Sequence, residues 1–138
     1  MSASVYSSDD FGNTWQRGSV PLHQKTQTSG GYALALNSKK QLFVMGGDYL
    51  KRADDYSNLA SFNGNAWSKV NTGDHGLRTA MTCIENTCLT TGKLSSDISF
   101  DNGLNWQQLN SKIKQGFYTL ASNKSLILAA GADGSIGV

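Results

Sequence analysis

The sequence predicts an all-β chain built from repeated groups of short antiparallel strands, and three observations point to it. The 138 residues include 15 Gly, 17 Ser and 11 Asn but only 1 Pro, a balance that favours turns over helix interiors, and no segment sustains an apolar stripe at helical spacing. An element recurs around the three tryptophans: SDDFGNTW from Ser8 to Trp15 and SFDNGLNW from Ser99 to Trp106 both read S-x-D-x-G-x-[T/N]-W. A middle copy, SFNGNAW from Ser61 to Trp67, is one residue shorter and carries Asn63 near the Asp position. Independently, YALALNSKKQLFVMGG from Tyr32, RTAMTCIENTCLTTGK from Arg78 and FYTLASNKSLILAAGA from Phe117 each run apolar stretch, polar turn, apolar stretch, Gly.

The glycines of these blocks, Gly46, Gly92 and Gly131, each lie 14 residues after the block's start, at spacings of 46 and 39. A period of about 40–50 residues holding several strands is that of a β-propeller blade. The elements follow in order. Residues 1–22 supply the outer half of a blade, one strand over Ala3 to Ser7 and a second from Trp15 to Val20. Residues 30–72 form a blade, whose Leu42-Phe43-Val44-Met45 run predicts a strand covered on both faces. Residues 76–112 form the next, with a tight turn at Glu85-Asn86. Residues 115–138 supply an inner half-blade: a hairpin from Phe117 to Ala130, then a strand near Ser135. The expected fold is therefore a propeller arc of about three four-stranded antiparallel blades. Since a ring needs about four to eight, and uncovered end faces seek partners, a homodimer closing a six-bladed ring is expected. A trimer, or a longer ring of which this is a part, is the alternative.

The Trp element belongs on the hairpin between a blade's last two strands. Asp10 and Asp101 accept backbone N–H groups inside the turn, Gly12 and Gly103 take the positive φ it needs, and Trp15, Trp67 and Trp106 pack beneath. These residues are structural. The element resembles the Asp box, or bacterial neuraminidase (BNR) repeat, of sialidases, sortilin-type receptors and non-enzymatic propellers. The succession GGDY (Gly46 to Tyr49), an acidic stretch with Asp54 and Asp55, GLRTA (Gly76 to Ala80), GKLSSDISFDNGLNW, GFYTL (Gly116 to Leu120) and GADGSIGV narrows the match. It is similar to photosynthesis system II stability/assembly factor-like propellers and to uncharacterised bacterial BNR-repeat or glycosyl-hydrolase-like proteins. That resemblance implies a propeller whose box lies away from any active site, and it allows a periplasmic or secreted location. No basic-then-apolar leader opens the chain, so the sequence itself leaves the compartment open.

Loops after the blocks' glycines open on one propeller face, which makes Asp48, Tyr49, Arg78, Asp97, Phe117 and Tyr118 the ligand-binding candidates. Arg78 offers a planar fork for a carboxylate; the blander role, favoured here, is a brace to Asp48 or Asp97. Cys83 and Cys88 bracket the Glu85-Asn86 turn as directly opposed residues, where a disulfide is within reach. A zinc site would need a second ligand pair, and His23 and His75 are isolated; no metal or cofactor is expected.

Other functions are disfavoured. A net charge of +2 and the short pairs Lys39-Lys40 and Lys112 with Lys114 are too weak for nucleic acid. No apolar run approaches the roughly 20 residues of a membrane span. Sialidase-like chemistry uses three arginines, a Tyr–Glu pair and an Asp, whereas Arg17, Arg52 and Arg78 are the only arginines and Glu85 the only Glu. No catalytic residue is assigned. The expectation is a non-enzymatic scaffold or binding module for a protein or carbohydrate, acting through the channel face of an oligomeric ring. The alternative is a carbohydrate-active enzyme or lectin whose site two chains share.

Overall fold

The computed structural model describes residues 3–22, 24–53, 57–72, 76–109 and 116–138. Among the described residues, thirteen short strands form four antiparallel sheets that follow the order of the chain. The first pairs β1 (Ser4–Ser7) with β2 (Gln16–Ser19). The second has β3 (Ser29–Leu36), β4 (Leu42–Asp48), β5 (Leu59–Phe62) and β6 (Trp67–Val70). The third has β7 (Ala80–Ile84), β8 (Thr87–Thr91), β9 (Ser96–Ser99) and β10 (Gln107–Gln108). The fourth has β11 (Thr119–Ser122), β12 (Ile127–Ala130) and β13 (Ile136–Gly137). A 3-10 turn at Ala132–Gly134 is the one helical feature among the described residues, and no helix there is long and apolar enough to cross a membrane.

Successive sheets stack through their first strands: β3 lies against β7, and β7 against β11. The apolar clusters fall between sheets. Val20, Leu22, Val44 and Ala60 join the first sheet to the second. Phe43, Met45, Leu59, Met81 and Cys88 join the second to the third, with Ala33, Ala35, Val70 and Trp106 around them. β4 thus sends Phe43 and Met45 one way and Val44 the other, the arrangement its unbroken apolar sequence requires. Hydrogen bonds also cross between sheets: Arg78 N donates to Gly46 O at 2.9 Å, and the Thr79 hydroxyl Oγ1 to Tyr118 O at 2.9 Å.

Strand pairing corrects the alignment by counting from block starts. Gly31 opposes Gly46 and Ala33 opposes Met45, so Tyr32 is an extra, bulged residue. Ala80↔Thr91 and Thr119↔Ala130 begin the other first hairpins without a bulge. The equivalent residues are therefore Leu34, Met81 and Leu120, one place off the sequence count. Met81 is buried against the preceding sheet. Leu34 and Leu36 remain 56% exposed, and at the opposite end so do Leu128 and Ile136 in large part. Asp54, Asp55, His23, His75, Lys112 and Lys114 lie outside the described residues.

Candidate functional site

The six candidate ligand residues separate into a buried set and an exposed set. Arg78, Asp97 and Asp48 are fully buried. The first strand of the third sheet brings Arg78 beneath β9, where its Nε and Nη2 both donate to Asp97 Oδ2, at 2.9 and 2.5 Å. Nη2 also donates to Ser95 Oγ at 3.1 Å, and Nη1 to the carbonyls of Leu77 and Ser95 at 3.2 and 3.3 Å. Burial lowers the guanidinium pKa from its ordinary value, against the raising effect of Asp97. This ion pair is the brace described for Arg78. Its donors are engaged within the protein, so Arg78 does not open onto solvent as its block position suggests.

Asp48 is held by residues that sequence reasoning missed. Thr26 Oγ1 donates to its Oδ2, and Oδ1 accepts from Thr28 Oγ1 at 2.6 Å and from the amides of Leu50 and Lys51 at 2.9 and 3.0 Å. Burial alone would raise this carboxyl, but the Thr26 and Thr28 hydroxyls and the two amides together hold it well below the usual range. Two threonines some twenty residues upstream gave no pattern that distinguished them from loop residues. Nearby, burial first, then Tyr49 and Asp48, push the Tyr32 phenol up.

Tyr49 and Tyr118 are the exposed members, and Phe117 is half-buried. Lys93 Nζ sits 5.9 Å from the centre of the Tyr118 ring, within cation–π range. The Phe117 amide donates to Thr91 Oγ1 at 2.9 Å, and Thr91 Oγ1 and Ser96 Oγ lie 2.8 Å apart. These bonds tie the fourth sheet to the third around the Arg78 pair. Of the exposed candidates, Tyr118 has a cationic neighbour in Lys93, and Tyr49 is a second exposed phenol. Among the described residues, no group of three or more His, Cys, Asp or Glu side chains could hold a metal.

Neither a protein-family model nor a curated protein matches the chain. The turns themselves remain informative. In the first, Asp10 accepts from Thr14 N at 2.8 Å and Thr14 Oγ1 at 2.7 Å, Ser8 Oγ accepts from Gly12 N at 2.7 Å, and Trp15 Nε1 donates to Gly12 O at 3.1 Å. The Ser99–Trp106 turn repeats this bond for bond, with Asn105 in place of Thr14. Amide bonds, from Thr14 and Asn105 respectively, lower Asp10 and Asp101 to about 2. In the middle copy Asn63 Oδ1 accepts from Asn65 N and Ala66 N at 2.9 and 2.8 Å, and Trp67 packs on Phe62 with centroids 5.2 Å apart.

Cys83 and Cys88 are register partners joined by a disulfide. Away from the candidate set, a groove of about 570 Å³ runs between the first two sheets, lined by Ser7, Gln16, Arg17, Phe62, Asn65 and Trp67 among others. Arg17 Nε donates to Ser4 Oγ at 2.8 Å.

Proposed function

We propose that the chain is a β-propeller arc that copies of itself complete to a six-bladed ring, and that it works as a non-enzymatic scaffold or binding module. The carrying observation is the pair of open sheet faces: Leu34 and Leu36 at one end, Leu128 and Ile136 at the other. Between them, apolar clusters and cross-sheet hydrogen bonds join the described sheets to one another. Apolar faces of this kind are costly to leave in water. The binding face is the end where β3, β7 and β11 converge, with Tyr49, Tyr118 and Lys93 as contacts to a protein or carbohydrate and Arg78–Asp97 as their rigid support. Sedimentation velocity is the direct test. A twofold assembly that persists on dilution is the expected result, and a folded monomer at all concentrations overturns the ring.

The groove at Arg17, Phe62 and Trp67 favours one second reading, a lectin or carbohydrate-active protein. A glycan array together with chromogenic glycosides separates the two: turnover that Asp97→Asn abolishes in a folded protein would replace the scaffold, and glycan binding lost in Trp67→Ala would establish a lectin.

A further inference from the structure

Phe11 is the most anomalous residue of the described chain. It holds φ +59°, a left-handed conformation that costs a bulky side chain of order 1 kcal/mol or more. Its ring is nonetheless fully exposed. Residues in such strained positions persist where the surroundings require them.

The equivalent turn shows what covers this position. Asn102 holds φ +62°, within a turn that shares the Ser, Asp and Trp bonds of the Phe11 turn, yet it is only 4% exposed. Two hairpin turns clasp it. From its own sheet, Asn86 O accepts from Asn102 N at 2.8 Å, and Asn86 Oδ1 from Asn102 Nδ2 at 2.6 Å. From the preceding sheet, Asn37 Nδ2 donates to Asn102 O at 3.0 Å and Ser38 Oγ to Asn102 Oδ1 at 2.5 Å. Among the described residues, the β1–β2 sheet has no first hairpin to play the part of Asn86. The fourth sheet is the converse: its first hairpin turns at Asn123, with Asn123 Oδ1 accepting from the amides of Ser125 and Leu126, and no Trp turn lies over it among the described residues.

Resting on the ring proposed above, we infer that the Ser8–Trp15 turn of one copy docks on the Asn123–Leu126 hairpin turn of a second copy, with Phe11 as the knob. The register of the third sheet sets the details. Cys88 opposes Ser99 and Leu89 opposes Ile98, so Ser8 comes opposite Ile127 and Ser7 opposite Leu128, and the open edge of β1 joins β12. Charge agrees. Asp9, beside Phe11, and Lys124, at the tip of the hairpin, are both exposed and meet across the contact. β13 already pairs Ile136 with Ala130 and Gly137 with Ala129, the places Val5 and Tyr6 would take. Docking therefore displaces this two-residue strand.

The experiment is sedimentation equilibrium on the full chain and five variants, each checked for an unchanged thermal melt. Phe11→Ser removes the knob without touching a core contact and weakens self-association about tenfold or more. Asp9→Lys and Lys124→Glu each weaken it severalfold, and the double variant recovers it. Removal of residues 135–138 strengthens it, because the competing strand is gone. Self-association that all of these leave unchanged overturns the docking contact while the ring survives by another interface. A wild-type chain that stays monomeric overturns both.

Discussion

At the scale of single residues, charge is handled by enclosure. Asp10 and Asp101 are fastened by their own loops, and both carboxyls are lowered to about 2. The unfolded chain, with carboxyls near about 4, binds the proton first as pH falls. Their contribution is thus complete above about pH 4 and fades between about pH 4 and 2. Thermal melts over that range should show a falling midpoint, and Asp101→Asn should flatten the fall; an unchanged profile would count against the loop bonds as the cause. Arg78 is the opposite case, a cation taken wholly out of water with one carboxylate partner. Arg78→Ala removes the counter-charge from buried Asp97 and is expected to cost about 3–5 kcal/mol in urea unfolding. Asp97→Asn, which leaves the buried guanidinium without its counter-charge, should cost a similar amount. A loss below about 1 kcal/mol for Arg78→Ala would mean that the pair is not the brace its bonds describe.

At the scale of elements, two features fix how strands meet. Gly92 lies where the sheets approach closely: a Cβ there would stand 1.7 Å from Leu77 O and 3.2 Å from Arg78 Nη1. Gly92→Ala must push the β7 entry off the end of β8 and loosen the ion pair, so chemical denaturation should show a loss of several kcal/mol or no folded protein. The same substitution at Gly30, where nothing lies within 4 Å, should be far milder. The Cys83–Cys88 bridge closes a short loop, separation 5. Its reduction should cost on the order of 2 kcal/mol, read as a lower denaturation midpoint with reductant and no change in Cys83→Ala/Cys88→Ala.

At the scale of the whole molecule, the stacked sheets leave both ends apolar. Leu34→Asp places a charge on one end face, outside the described core, and should weaken self-association strongly while leaving the protomer's melt within about 1 kcal/mol. Equal association by sedimentation would show that this face is not used. Much of this architecture was legible in the chain. Turn-forming composition, the recurring Trp elements and the glycine-ended blocks determined an all-β chain of antiparallel groups in sequence order, because alternation, turn chemistry and repeat length are local properties. The opposition of Cys83 and Cys88 followed from a two-residue turn for the same reason. Tertiary structure alone decided the rest. The bulge at Tyr32 moves the faces of β3 by one place. The burial of Arg78 depends on Ser95 and Asp97 arriving from another strand. The cage around Asp48 needs Thr26 and Thr28 carried back across β3. The contrast between an enclosed Asn102 and an open Phe11 depends on which neighbouring sheet is present. Desolvation and long-range hydrogen bonding arise from residues brought together in space, and no local pattern in the sequence encodes who those neighbours are.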